Sequence, residues 1–499
     1  MSKVVLLGAG PGELDLLTLK GQQILKEAQC VIYDRLLNPA MLALTPITCE
    51  KIFVGKANHK HTMPQDKINE LLVEKAREYN LVVRLKGGDP YVFGRGGEEA
   101  LFLKEHGIAV EIVPGVSSSI AALASAGIPI THRGLAKGFQ VITAHSKKDE
   151  RADIDYKTLL DDTVTLVFLM GLAHVGEIAR GLMDAGRCAD TKTAVISNGT
   201  TNHQVKVVGT LLDIEDKVKN SPVVSPAIIV VGDVVQLSNE LNFFEKRPLF
   251  GKKYFLPVIR SLNYSYDKEL GLMDRSELED KLVELGADVI TVETGTITAI
   301  KCNMEALVKD NMDGFIVFTS SNGVKSFFWN LHEAKQDLRC LSNYNFAVIG
   351  KKTEATLSSF GIVADIVSAV QNGKDLAEEL NKEMKSGMNI YWFTTKDSSE
   401  DFVNRLDKSC NLIKIECYEN IPAEIVIDSE LQDNIAKCDG AIFTSGSNAA
   451  STLPLIKDVM PGNIYSIGPA CSRRIKGLCN IKITEARISS YSGILELLL

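Results

Sequence analysis

The chain has 499 residues, 45% hydrophobic and 24% charged, with a net charge of −8. This balance fits a globular protein with several cores and excludes a general nucleic-acid binder, while leaving room for a local basic pocket. No apolar run reaches the roughly 20 residues of a membrane helix, and the 10 cysteines contain no CxxC pair, so no membrane, no metal and no disulfide framework are expected.

The opening MSKVVLLGAGPG turns into a glycine loop too early for a signal peptide, which predicts a cytoplasmic protein. Residues 4–7 form an apolar strand that enters Gly8-Ala9-Gly10-Pro11-Gly12, followed by an amphipathic helix ending near Ala28. A dinucleotide-binding GxGxxG would need glycine where Glu13 stands, and Pro11 removes an amide that a pyrophosphate would use. A second strand, 31–33, delivers Asp34 and Arg35 at its C-terminal end, where ligands bind in open α/β sheets. A third, 52–54, delivers Gly55 and Lys56 and then a polar loop with His59 and His61. Asp34 and Lys56 are therefore neighbours across adjacent strand ends, as a structural ion pair or as catalytic groups. The HxH spacing has no third ligand and reads as solvated or substrate-facing.

The densest signal is RLKGGDPYVFGRGGEE, residues 84–99, which closes a buried strand at 81–85. Its glycines allow positive φ and let a ligand sit against bare main chain. Asp89-Pro90 fixes a turn and is expected to leave a carboxylate pointing into the gap, and Glu98 and Glu99 open a helix. A strand at 110–113 then runs into Pro114-Gly115-Val116-Ser117-Ser118, where the serines cap a small-residue helix reaching Ala126. After Gly127-Ile128-Pro129 and Thr131-His132-Arg133, a second half restarts with strands at 140–143, 164–168, 193–196 and 227–231. These lead into Met170-Gly171 and Asn198-Gly199-Thr200 among other turns.

These motifs, in this order over residues 3–241, resemble the uroporphyrinogen-III C-methyltransferases of the tetrapyrrole methylase family, which use S-adenosylmethionine. The resemblance implies two α/β subdomains, about 1–113 and 114–241, in a homodimer with no metal. It implies cofactor contacts at Pro11, Gly87, Gly88, Asp89, Val92, Ser117, Ser118, Met170, Gly199 and Ala227, with Asp34 as proton acceptor and Lys56 as proton donor. Leu169 stands where the family usually has tyrosine. The implied reaction methylates pyrrole carbons of uroporphyrinogen III in turn, giving precorrin-2. Attack by a pyrrole carbon leaves positive charge on the ring, so a proton must depart, and a carboxylate such as Asp34 suits that step. Arg35, Arg84, Arg95, His132 and Arg133, with Lys56, are the candidates to pair with substrate carboxylates. An rRNA- or diphthamide-directed methylase would share the fold without the full GDPYVFGRGGEE and THR combination.

Residues 242–251 read as a short linker between domains 1–241 and 252–499, and Phe243 and Phe244 predict that it packs against something. Beyond it, strands repeatedly run into hydroxyl- or glycine-rich turns at helix starts: Thr319-Ser320-Ser321-Asn322, Gly350-Lys351, Thr444-Ser445-Gly446-Ser447 and Gly468-Pro469. Such turns aim amides and hydroxyls at anions. The doubled pattern resembles uroporphyrinogen-III synthase, a two-lobed α/β fold, although residues 392–397 read WFTTKD where that family tends to carry an arginine-glycine turn. The resemblance implies one lobe from about 252–290 and 423–499, another from about 298–416, and extended crossings near 291–298 and 417–422. Thr319, Ser320, Asn322, Thr444 and Ser445 would then bind substrate, and Tyr418, at the second crossing, would either give a proton to the leaving hydroxyl or pack in a hinge. A noncatalytic tetrapyrrole-binding module is the alternative for this half. Sirohaem and cobalamin both stay open as destinations.

Overall fold

Strands that bury both faces need apolar residues at successive positions, and the three central strands of the first sheet largely supply them, while the two edge strands are only partly buried. The five strands are β1 (Lys3–Gly8), β2 (Cys30–Tyr33), β3 (Glu50–Phe53), β4 (Leu81–Lys86) and β5 (Ala109–Val113), joined by helices α1 (Leu19–Glu27), α2 (Gln65–Glu78) and α3 (Gly96–Glu105). The computed structural model describes residues 2–499 except 36, 47, 56–62, 145–152, 267, 273–274, 306, 308–312, 369–372, 397 and 399. All strands of this sheet are parallel, in the order β3-β2-β4-β1-β5. Successive side chains alternate between its faces. Val4, Leu6 and Val82 join Leu72 and Leu103 on one side, while Val5, Leu7 and Val83 join Leu25 on the other.

Helix α4 (Ser118–Ser125) leads to a second sheet of β6 (Gly138–Thr143), β7 (Val164–Leu169), β8 (Lys192–Ser197), β9 (Val205–Thr210) and β10 (Ala227–Val231). Its order is β6-β7-β10-β8-β9, with β10 antiparallel to β7 and to β8. The edge strand β9, antiparallel to β8, escaped the sequence reading because VKVVGT is mostly half-buried and gives no continuous apolar run.

By packing, the chain divides into one unit of residues 1–252 with 285–288 and a second of 253–284 with 289–499. The stretch read as a linker belongs to the first. Phe244 and Leu249 are buried there, and Arg247 lies 4.3 Å from the Phe244 ring centre and pairs with Glu13 at 3.0 Å, whereas Phe243 stays exposed.

The second unit starts with β11 (Lys253–Arg260), a hairpin of β12 (Leu262–Ser265) and β13 (Lys268–Leu272), and β14 (Asp288–Ala299). It continues through β15 (Gly314–Phe318), β16 (Tyr344–Ile349), β17 (Ile366–Ser368), β18 (Asn389–Thr395), β19 (Asn411–Pro422), β20 (Gly440–Phe443), β21 (Ile464–Ser466) and β22 (Ile483–Glu485). Among the described residues these strands, the hairpin apart, form one sheet in the order β17-β16-β15-β18-β19-β14-β11-β20-β21-β22. Two 12-residue strands, β14 and β19, pair antiparallel from Gly295 with Pro422 to Ala299 with Tyr418 and join its halves. Phe318, Phe327, Phe328 and Phe393 fill the core beside β15.

Candidate functional site

In the first unit, main chain meets main chain at the C-terminal ends of β1, β4 and β5. A Cβ on Gly115 would overlap Gly88 O and stand 2.7 Å from Gly8 Cα, and one on Gly8 would stand 2.7 Å from Gly88 O. Glycine at both positions is what lets these segments touch. Gly10 and Gly88 exchange backbone hydrogen bonds of 3.2 and 2.7 Å, which places Pro11 beside Gly87 and Gly88. Gly88 has φ +67 and borders a bare notch: its Cβ would find only Ser118 N at 3.9 Å and Ser117 Cα at 4.0 Å. Ser117 caps α4 by accepting from Ser119 N, and the Ser118 amide at the helix start borders the notch.

Loops of the second sheet pack against these segments. Gly12 would, with a Cβ, come within 2.7 Å of Thr201 Cγ2, and Gly199 would overlap the Ala122 methyl. Glu13 N donates to Thr200 Oγ1 at 3.3 Å, and Asn38 Nδ2 donates to Gly12 O at 3.0 Å. Ala227 pairs with Ser197, and the neighbouring pair, Ile228 with Leu169, sets it beside Met170. Among the described residues six non-glycine residues have positive φ, and five occupy these loops: Phe93, Arg95, Met170, Asn198 and Thr200. Such strain persists where the surroundings enforce it, commonly at ligand sites.

Asp89 departs from expectation. Its carboxylate does not point into the gap: Oδ1 accepts from Tyr91 N at 2.8 Å and Oδ2 from Gly115 N at 3.1 Å, so it staples two loops together. Val92 is exposed at 37%. Lys56, with His59 and His61, lies outside the described residues.

Under the notch is a charged network. Arg84 is 4% exposed and faces inward, contrary to a substrate-facing reading: Nη1 donates to Leu85 O at 3.1 Å, Nη2 to Asp34 Oδ2 at 3.4 Å, and Nε lies 3.4 Å from Glu99 Oε1. Glu99 is fully buried, and the same oxygen accepts from Lys86 Nζ at 2.9 Å and Gln65 Nε2 at 3.0 Å. Burial, followed by the like charge of Arg84, lowers the pKa of Lys86. Two cations thus share one buried carboxylate, and Arg84 reaches on to hold Asp34 at the strand end. Lys86, Glu99 and Gln65 were missed from sequence. The usable signal was the period-two spacing that puts Arg84 and Lys86 on one face of β4. Arg95 forms a surface pair with Glu98 at 2.7 Å, while Arg35, His132 and Arg133 are exposed.

In the second unit two of the four predicted turns are capped by their own serines, while those at Gly350 and Gly468 have no side-chain cap. Ser320 accepts from Asn322 N at 3.1 Å, and Ser445 accepts from Asn448 N at 3.1 Å. Asn322 Oδ1 accepts from Leu262 N at 3.2 Å, and Trp392 Nε1 donates to Thr319 Oγ1 at 3.4 Å. Buried Asn448, also missed, donates to Pro257 O at 2.9 Å and to Thr444 Oγ1 at 3.4 Å, and accepts from Thr294 Oγ1 at 2.9 Å, fastening this turn to β11 and β14. Tyr418 is 7% exposed, and a hydrogen bond with Ser320 partly offsets the upward pKa shift that burial imposes on its phenol. Among the described residues no cluster of three His, Cys, Asp or Glu is arranged to hold a metal, and no helix is long and apolar enough to cross a membrane.

Comparison with known proteins divides the chain in the same sense. Residues 3–215 match the family described as tetrapyrrole (corrin/porphyrin) methylases, and residues 276–491 match uroporphyrinogen-III synthase HemD. A porphyrin biosynthesis protein HemD of Ruminiclostridium josui is 34% identical over 99% of this chain and 97% of its own length. A uroporphyrinogen-III C-methyltransferase of Bacillus subtilis is 41% identical, with 72% of each chain covered. One from Methanocaldococcus jannaschii is 46% identical over 47% of this chain and 97% of its own. The chain belongs to the tetrapyrrole methylases through its N-terminal half and to the uroporphyrinogen-III synthases through its C-terminal half.

Proposed function

We propose that the chain is a bifunctional tetrapyrrole biosynthesis enzyme that makes precorrin-2. Its C-terminal half closes hydroxymethylbilane to uroporphyrinogen III, and its N-terminal half methylates that product twice. The observation that supports this reading is the meeting of bare main chain at the strand ends, where Gly8, Gly10, Gly88 and Gly115 touch, Ser117 and Ser118 border Gly88, and Gly12 packs against Thr200 and Thr201 of the second sheet. A notch that a single Cβ would invade suits a ligand held by backbone groups, as S-adenosylmethionine would be. When bound, it supplies an electrophilic methyl group.

The protein's own contribution is alignment, exclusion of water and disposal of a proton. Asp34, held from below by Arg84, takes the proton that the methylated pyrrole must lose. Arg35, His132 and Arg133 are exposed cations or potential cations suited to substrate carboxylates. In the second unit the turns at Thr319, Ser320 and Asn322 and at Thr444 and Ser445 hold the carboxylates of the linear tetrapyrrole. Tyr418, bonded to Ser320, gives a proton to the leaving hydroxyl.

The test is to supply the full chain with hydroxymethylbilane and S-adenosylmethionine and to identify the product by mass and absorbance. Precorrin-2 is expected. Uroporphyrinogen III without methyl gain would defeat the methyltransferase assignment. If supplied uroporphyrinogen III is methylated while hydroxymethylbilane closes only to the type I isomer, the C-terminal half is a binding module.

A further inference from the structure

The loop after the GGDP turn spends conformational energy on an aromatic ring that the fold leaves largely exposed. Gly94 and Gly96 sit where the chain passes tightly over Pro90, since their Cβ atoms would lie 2.7 and 2.5 Å from Pro90 O. The left-handed positions of the same loop fall instead on Phe93, φ +53, and Arg95, φ +57. A bulky residue there is strained, and glycine would adopt the conformation without penalty. Burial of Phe93 is incomplete: it is 43% exposed, with Tyr91 and Val92 exposed beside it, and among the described residues no aromatic or cationic group meets its ring. The backbone is nevertheless pinned, by Val92 N on Asp89 O at 3.3 Å and Gly96 N on Pro90 O at 3.0 Å. The backbone that carries the ring is thus held in place, five residues along the chain from Gly88.

We infer that Phe93 is a specificity-determining contact of the methyltransferase half, its ring laid against a pyrrole ring of the tetrapyrrole substrate. This rests on the methyltransferase reading above. A flat, electron-rich heterocycle is what an exposed aromatic ring recognises by stacking or edge contact. The polycarboxylate rim of such a substrate leaves its ring carbons as the apolar surface to be met. Strain in the free protein is then returned as pre-organisation when substrate arrives, because the ring is already in place.

The experiment compares the full chain with Phe93→Gly, Phe93→Asn and Phe93→Leu in three measurements: thermal midpoint, KM and kcat for uroporphyrinogen III, and affinity for S-adenosylhomocysteine by calorimetry. Glycine and asparagine tolerate the left-handed conformation, so both variants are expected to melt at or above the parent temperature. The loss of an aromatic contact should raise KM about tenfold, with affinity for S-adenosylhomocysteine within about twofold. Leucine keeps apolar bulk and strain and should fall between. A lower midpoint with unchanged KM in both Phe93→Gly and Phe93→Asn would make the ring structural and overturn the inference. Weakened S-adenosylhomocysteine binding would assign the ring to the methyl donor, and a change of oligomeric state alone would assign it to a contact between copies; either result also overturns it. A parent that methylates nothing would instead defeat the methyltransferase reading, which the parent arm alone decides.

Discussion

Gly115 and Gly446 both introduce a helix after a strand, yet their surroundings differ. Around Gly115 the neighbours are the backbones of Gly8 and Gly88, which cannot withdraw. Around Gly446 the nearest atoms are Cβ and Cγ of Arg474, at 3.1 and 3.3 Å, the stem of a flexible side chain. The strand ends around Gly115 are therefore built from main chain exposed by glycine, whereas the turns at Ser320 and Ser445 are built from serine hydroxyls that cap helices. Glycine is a structural requirement at Gly115 and a tolerance at Gly446. A motif rich in glycine thus does not carry one meaning across a single chain.

The largest expected effect tests whether main chain alone suffices in the first unit. Asp34→Ala should lower methyl transfer by about 10²–10⁴-fold, the usual worth of a positioned base, while S-adenosylhomocysteine binding measured by calorimetry stays near parental. Full turnover would mean that the notch works without this carboxylate. Next, Gly115→Ala should misplace the notch and cost about 10²-fold in methyl transfer with loss of S-adenosylhomocysteine binding. The ratio of type III to type I uroporphyrinogen formed from hydroxymethylbilane should not change in the same preparation. Ser445→Ala removes one cap, worth about 0.5–2 kcal/mol, and should lower that ratio several-fold without abolishing closure, because amide donors survive. The smallest effect sharpens the contrast most: Gly446→Ala should leave both activities within about twofold, since one methyl group displaces only the Arg474 stem. Severe loss of ring inversion in Gly446→Ala would show that the second unit also relies on bare main chain.

What could be read from sequence follows the same division. The GGDP string was legible because clustered glycines after an apolar strand announce close backbone approach, and Gly8, Gly88 and Gly115 meet that way. The crossings were legible as extended stretches and lie within the paired strands β14 and β19. The direction of a charged side chain was not. Arg84 and Arg95 look alike in RLKGGDPYVFGR, but one faces the apolar side of β4 beside Glu99 and the other stands in solvent beside Glu98. Only the packing of α3 on the sheet separates them. Asp89 was misjudged for a related reason: a short carboxylate in a turn meets nearby amides before it meets a ligand. The β12–β13 hairpin went unpredicted because its stability comes from tertiary contact, including Tyr264 with His332 at 3.0 Å, and not from a local turn signal.

The strand order of the second unit also sets a timetable for synthesis. Strand β11 lies next to β20, with Phe255 opposite Ala441, and the side chains of Phe255 and Leu256 are fully covered in the finished protein. At about 5–20 residues per second on the ribosome, the roughly 180 residues between them take about 10–40 s to appear. Once residue 288 has been made, the first unit has all its residues while the strand KYFLPVIR still presents an unpaired edge and uncovered aromatic and aliphatic groups to chaperones or to the same strand of a neighbouring nascent chain. A ribosome that stalls, or a premature stop, anywhere between residues 300 and 440 consequently releases a chain with a complete methylase half and an aggregation-prone tail.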